Sequence, residues 1–468
     1  MMQEHAQTSS LNKGAPTYAD RFSAFATSLR LRDIPEPVLL RAKGCVLDVL
    51  GICLASASQA YVNSVASVFI DMGGKPESSL IGWPASLPMA NAALVHGSMS
   101  HGTDFDDTHP GGRMHPSSVI VPTALAVAQA QGASGARVLE AVVAGLECMI
   151  RIGKAGESED GFHHRGLHPT TLCGVFAAAL SAGSLLGLSA QQCSWAQGLA
   201  GNMASGSTEF LADGSWGKRI GPGWAAHGGI IAAQLAARGF TGPPSIYEGQ
   251  WGLYRSHLRE PFYDLSLLDQ GLGSEWELLR LSARLFPCCA RAPTHVSLAL
   301  EMLAQEHIDP AQIASIECGV DRMATTVVCE PWSEKIDPAD GYAAKFSLPY
   351  CVAAALLRGR LTMAEFEDST VRDPLIGQLM QTMSYKVQPD FDPAKFPAAL
   401  LITLKDGRMV QRTRLDAGVA GWPELRAKFQ ANAQPVLGAA RTNLLADQVA
   451  NLETLTDVSA LMAGCAVG

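Results

Sequence analysis

Long apolar stretches separated by short polar interruptions make up this chain, and up to about residue 270 the apolar positions recur at helical spacing. Glu36–Ala55 places apolar residues on most faces (Val38, Leu39, Leu40, Val46, Leu47, Leu50), the pattern of a helix buried nearly all round. Ser118–Gln131 and Ala136–Ala155 continue it. Leu172–Leu186 predicts a further helix stopped by Gly187, and Ser189 followed by Gln192 is a capping-box signature for the next. Trp224–Arg238 predicts another, ended by Gly239 and the turn-rich GFTGPP. No strand alternation of any length interrupts this half, so it reads as all-α.

The period changes after Gly273. Ala314–Arg322, Met383–Val387 and Ala399–Lys405 predict strands, and Lys405-Asp406-Gly407-Arg408 predicts a hairpin turn into Met409–Leu415. Helical patterns at Pro293–Gln305 and Ser347–Arg358 lie between them, as does a capped segment opening at Thr362 with Glu365. This is an α+β unit of about one small domain's size. From Trp422 onward the pattern is helical again, which predicts that the C-terminus returns to pack on the first part.

Composition narrows the class. At 468 residues the chain is long enough for a large core and more than one domain, and 47% hydrophobic against 17% charged residues excludes a disordered protein. A net charge of -9 argues against nucleic acid as the main partner, since phosphate binding needs a basic surface, but leaves room for a small anion held by local cations. The eleven cysteines are scattered and mostly sit inside apolar runs (Cys45, Cys53, Cys148, Cys173, Cys193), as reduced core residues of a cytoplasmic protein do. The polar start MMQEHAQTSSLNKGAP carries no secretory pattern. Gly166–Thr208 has no charged residue, yet His168, Pro169, Gln191, Gln192, Gln197 and Asn202 interrupt it too often for a membrane span.

Polar residues concentrate in a few places. His101–Ser118 (HGTDFDDTHPGGRMHPSS) packs three histidines and three aspartates between apolar helices. Asp104, Asp106, Asp107, His101, His109 and His115 are open to three readings there: turn and helix capping, acid–base chemistry, or metal ligation without any recognised metal spacing. His168, in RGLHPTT, opens a long uncharged helix, either as a structural residue or as one that meets an anion. Lys218 and Arg219 lie among glycines in DGSWGKRIGPG, which is no phosphate loop because Lys218 is not followed by Ser or Thr. Arg284 precedes Phe286-Pro287-Cys288-Cys289, and Tyr350 sits inside an apolar helix, where a core role is the ordinary expectation.

Taken together, DFDDTH…HPSSVIVPTALA, GLHPTT, FLADGSWGKRIGPGWAAHGGIIAAQLAARGFTGP and LFPCCARAPTH resemble the 2-methylcitrate dehydratase (MmgE/PrpD) family, in its order and spacing. That family also contains cis-aconitate decarboxylase and iminodisuccinate epimerase. The resemblance runs from about residue 18 to the C-terminus and implies a mainly α fold with an α+β part. Its large all-helical domain is built from both chain ends, residues 18–274 and 416–468, and a smaller α+β lid spans 275–415. It further implies a homodimer with no required metal or organic cofactor, acting on small di- or tricarboxylates. Residues matching Asp104, Thr108, His115, His168, Lys218 and Tyr350 line the pocket of decarboxylase-like members. Arg284 falls where that pattern has a lysine; the positive charge is kept, but an arginine does not shuttle protons. Arg113 is an extra cation between the aspartates and His115.

The expectation is a cofactor-independent lyase, dehydrating or decarboxylating a small polycarboxylate. His115, His168, Lys218, Asp104 and Tyr350 are its candidate catalytic residues, and Thr108, Arg113, Arg219 and Arg284 its candidate substrate binders. Proton removal beside a carboxylate builds negative charge, which requires cations aimed at it and a base titrating near neutrality. Two alternatives stand beside this: an epimerase of an amino- or imino-dicarboxylate, and a non-catalytic carboxylate-binding protein.

Overall fold

In a computed structural model the described residues are 15–467. The chain is mainly α with an α+β portion. Among the described residues nine α-helices precede residue 240: α1 (Tyr18–Ser28), α2 (Glu36–Ser56), α3 (Ala60–Met72), α4 (Met89–His101), α5 (Ser117–Gln131), α6 (Gly135–Ala155), α7 (Pro169–Leu185), α8 (Ala190–Ala200) and α9 (Gly217–Ala237). The helices α4, α5, α7 and α9 pack on one another at the centre. Most are apolar all round, as the sequence pattern requires, and α7 is buried along its whole length. The expected capping box at the start of α8 is present, with the Ser189 hydroxyl accepting from Gln192 N and the Gln192 side chain accepting from Ser189 N.

Two expectations change. The glycine-rich segment 217–223 is the first part of α9, not a loop, so the helix starts seven residues before Trp224. Its glycines serve packing: a Cβ on Gly223 would stand 2.1 Å from the Leu94 carbonyl oxygen of α4, and one on Gly221 2.3 Å from Thr171 Oγ1 of α7. The first half also contains a two-residue antiparallel pair, β1 (Ser78–Ser79) with β2 (Ser86–Leu87), too short to leave an alternation pattern. Gly223→Ala is expected to destabilise the protein by about 2–3 kcal/mol, because backbone rather than a flexible side chain blocks the methyl group. Thermal unfolding against wild type measures this, and an unchanged midpoint would show that α4 and α9 are free to separate.

Beyond residue 285 a second apolar core gathers Cys288 to Val410, distinct from the first, which joins residues 19–281 to Phe429–Cys465. Its sheet runs β4-β3-β5-β6, with β3 (Ile313–Val320) parallel to β4 (Met383–Val387) and antiparallel to β5 (Ala398–Leu404), itself antiparallel to β6 (Met409–Arg414). Helices Pro293–Gln305 and Leu348–Arg358 pack together beside the sheet. The segment after Thr362 has the expected capping box but is a single 3-10 turn, Met363–Phe366. The C-terminal helix Trp422–Leu437 returns to α2, where Phe429 lies against Gly51. All eleven cysteines are buried and unpaired. Among the described residues no helix is long and apolar enough to cross a membrane.

Candidate active site

The site is assembled where four helix ends meet the edge of the second core. His101 closes α4, Ser117 and Ser118 open α5, His168 caps α7, and Lys218 and Arg219 lie in the first turn of α9. The loop between α4 and α5 turns sharply at Asp104, whose φ of 58° is left-handed, a conformation Asp tolerates better than most residues. The turn sends Asp104 toward α9, while Asp106 and Asp107 face the start of α5. There the Ser118 hydroxyl donates to Asp106 and the Ser117 hydroxyl to Asp107.

Asp104 is shared by two cations. Lys218 Nζ donates to its Oδ1 at 2.7 Å, and Arg284 Nη1 lies 2.9 Å from the same oxygen. Arg284 also donates to the Asp104 carbonyl and, at 3.4 Å, to Thr108 Oγ1. Burial pushes the Asp104 carboxyl up, but Arg284, Lys218 and His115 outweigh it and hold it well below the ordinary range. One carboxylate between two cations leaves a net positive charge.

Three imidazoles form a row beside it, His115 and His168 flanking His101 at ring distances of 5.0 and 5.5 Å. His101 Nδ1 hydrogen-bonds Asp106 Oδ2 at 2.7 Å, and its Nε2 is buried without a partner. His115 Nδ1 lies 2.7 Å from the Asp107 carbonyl. A carbonyl only accepts, so Nδ1 carries the proton and the neutral ring presents a lone pair at Nε2. Burial lowers His115 to about 3, with Arg284, His101 and Lys218 adding to it and Asp106 opposing. His168 Nδ1 pairs with Thr171 Oγ1 at 2.9 Å, and burial together with His101 and Lys218 holds it well below the usual imidazole range. Burial raises Asp107 to about 7, the Ser117 hydrogen bond opposing and Asp106 and Asp48 adding. His101, Asp106 and His115 also offer donor atoms within 4.8 Å of one another, the one group among the described residues spaced to hold a metal ion.

A cavity of about 280 Å³ opens in front, lined by His101, Asp104, Lys218, Arg219, Phe210 and Tyr342 among others. A second lobe of about 420 Å³ shares Gly102, Arg219 and Tyr342 with it. A larger hollow of about 560 Å³ touches only Thr108 and Arg284 of the candidates and is otherwise walled by Pro110, Phe396 and residues of the segments 282–301 and 414–424.

The candidates therefore divide. Asp104, Thr108, His115, His168, Lys218, Arg219 and Arg284 come together. Arg113 does not: its half-exposed side chain bonds Glu157 at 3.0 Å and His164 at 3.2 Å. Tyr350 lies inside the second core, its hydroxyl donating to the Glu365 carbonyl and its ring against Phe366. The tyrosine on the cavity wall is Tyr342, placed where Gly341 abuts the Phe366 carbonyl so closely that a Cβ would come within 1.8 Å. His101, Asp106, Tyr342 and Lys345 were not singled out as working residues by the sequence. The carboxylate–imidazole spacing of five residues, His101 to Asp106, was the one local signal available for the first two.

A mainly α chain with an α+β portion, and a cavity bearing cations and acid–base side chains, are matched by one family of enzymes. The chain belongs to the MmgE/PrpD family: residues 20–265 match its N-terminal domain and 286–453 its C-terminal domain. Similar proteins include a cis-aconitate decarboxylase-like protein of Aspergillus oryzae, 27% identical over 94% of this chain and 95% of that protein. The cis-aconitate decarboxylase of Aspergillus terreus is 26% identical over 94% of each chain. The 2-methylcitrate dehydratase of Cupriavidus necator is 28% identical over 84% of this chain and 85% of its own.

Proposed function

We propose that this protein is a lyase acting on a small tricarboxylate by general acid–base chemistry, and that its reaction is the decarboxylation of a cis-aconitate-like acid. The observation that carries the reading is the Lys218–Asp104–Arg284 triad beside the histidine row, with Asp104, Lys218 and His101 on the cavity wall. The decarboxylase-named relatives align over more of the chain than the dehydratases do, 94% against 84%, which favours decarboxylation. Loss of CO2 breaks a carbon–carbon bond and leaves its electron pair on carbon, delocalised into the neighbouring alkene and carboxylate. Lys218 and Arg284 stabilise that charge. A proton must then return to carbon. His115 is its source: burial first, and the neighbouring cations after it, keep the ring neutral, and the arriving polyanion offsets those cations, so that the ring takes up a proton and later delivers it. Tyr342, whose phenol is raised by burial and by Asp104, stays protonated and donates a hydrogen bond from the other wall.

Dehydration is the second reading. It needs a base for the α-proton and an acid for the departing hydroxyl, roles that His115 and Lys218 fill in the resting charge state. Proton NMR with cis-aconitate, citrate, 2-methylcitrate and iminodisuccinate separates these. The expected result is consumption of cis-aconitate with one CO2 released per turnover. Turnover of 2-methylcitrate alone, with loss of water, would replace decarboxylation by dehydration. Inversion with deuterium exchange would mark an epimerase, and thermal stabilisation without turnover a binding protein. Activity retained through chelator treatment would place the chemistry on the side chains alone.

The reading includes a cytoplasmic homodimer. Exposed Val68, Met72, Trp224 and Phe240, on or just after the adjoining α3 and α9, support an apolar face covered by a second copy. Light scattering at micromolar concentration is expected to give twice the chain mass.

A further inference from the structure

Lys345 takes no part in the mechanism above, yet it is a buried cation without a carboxylate in contact. It is 6% exposed, on the wall of the 420 Å³ lobe. Its Nζ donates to the Thr103 carbonyl at 2.8 Å and lies 5.6 Å from the centre of the Phe366 ring. Among the described residues it forms no ion pair, and neither does Arg219, on the same wall. Arg219 instead lies over the rings of Tyr61, Trp216 and Tyr342 at 4.7, 5.4 and 5.7 Å. The nearby Asp104 is already committed to Lys218 and Arg284. The lobe's own carboxylates, Glu367 and Asp368, are on exposed residues, and Asp368 Oδ1 accepts from Gly341 N. An ammonium has three donors, and burying its charge is unfavourable until an anion meets it. Burial accordingly draws the Lys345 ammonium down to about 8, with Asp104 opposing.

We propose that the second lobe is a carboxylate subsite in which Lys345 and Arg219 hold the substrate carboxylate remote from the reacting carbon. The first lobe then presents the reacting part to Lys218 and the histidines, and the shared wall at Gly102, Arg219 and Tyr342 sets the distance between the two. This subsite rests on the tricarboxylate reading and deepens it, because a site for a smaller acid has no need of two further cations.

Calorimetric titration of the full chain with propane-1,2,3-tricarboxylate and with methylsuccinate tests it. The second ligand is the first with one carboxymethyl arm replaced by methyl. Wild type is expected to bind the tricarboxylate at least about tenfold more tightly. Lys345→Gln and Arg219→Gln should each lose most of that preference by weakening the tricarboxylate alone, whereas Lys345→Arg should keep it. Arg219 is only half-buried, so Arg219→Gln carries the test if Lys345→Gln does not fold. Both glutamine variants keeping the wild-type preference would overturn the subsite and leave the tricarboxylate reading standing. Wild type binding neither acid would overturn the tricarboxylate reading itself.

Discussion

Lys218→Ala is expected to lower kcat by about a hundredfold or more while leaving the protein folded. Lys218 sits in the first turn of α9, partly exposed and on the cavity wall, and nothing in the core depends on it. Its work is electrostatic. Asp104 remains ionised and neutralises one of its two cations, so Lys218 and Arg284 together leave one positive charge facing the cavity. Removing Lys218 brings that balance to zero, and a preorganised donor aimed at developing charge is worth about 10²–10³ in rate. Asp104→Asn changes the balance the other way. Asparagine tolerates the left-handed backbone at this position, which alanine does not, so the fold is kept while both cations lose their counter-ion. Substrate affinity should hold or rise and kcat should fall, because Lys218 is no longer oriented. Steady-state kinetics on cis-aconitate, with unfolding curves for each variant, provides the check. Full activity in a folded Lys218→Ala protein would remove Lys218 from the mechanism.

Helices were readable wherever an apolar period ran unbroken for several turns, as in α2, α5 and α6. The start of α9 was not, because glycine and proline signal a loop when counted along the chain. In space, Gly221 and Gly223 are what lets α9 approach Thr171 and the α4 backbone, and that need appears only after the helices pack. The site shows the same divide. Asp104, His115, His168 and Lys218 stand out as polar residues at the ends of apolar helices, and they meet because those ends meet. Tyr342 and Lys345 approach from the second core, more than a hundred residues away, so no local pattern says which side of their short helix faces the cavity. Tyr350 shares their apolar neighbourhood and points instead into its own core. His101 and Asp106 show the limit of reading roles from composition. Both were visible, but their direct pairing depends on the turn at Asp104.

His115→Asn is expected to lower kcat by about a hundredfold or more and to abolish a proton uptake that accompanies ligand binding. The asparagine amide reproduces the hydrogen bond from Nδ1 to the Asp107 carbonyl, so the loop keeps its shape while the lone pair at Nε2 is lost. In the ligand-free protein His115 titrates at about 3, far below the ordinary imidazole value, chiefly through burial and then through Arg284, His101 and Lys218. It is therefore neutral throughout the physiological range. A polycarboxylate compensates those cations and raises the ring's affinity for a proton, so binding takes up protons and weakens as pH rises. The ligand's own carboxyls titrate identically against either protein, which makes the difference between wild type and His115→Asn the informative quantity. Calorimetry of propane-1,2,3-tricarboxylate binding near pH 7, in two buffers of different ionisation enthalpy, should show wild type taking up more protons than the variant. The same shift acts on stability. The unfolded chain protonates His115 near pH 6.5 and the folded chain near 3, so this residue's contribution is whole above 6.5 and is lost as pH falls through that window, by up to about 1.4 kcal/mol per unit. His115→Asn should accordingly unfold less readily than wild type between pH 6 and 4, relative to their stabilities at pH 7.5. Equal proton uptake in the two proteins would assign the proton to His101 or His168 instead.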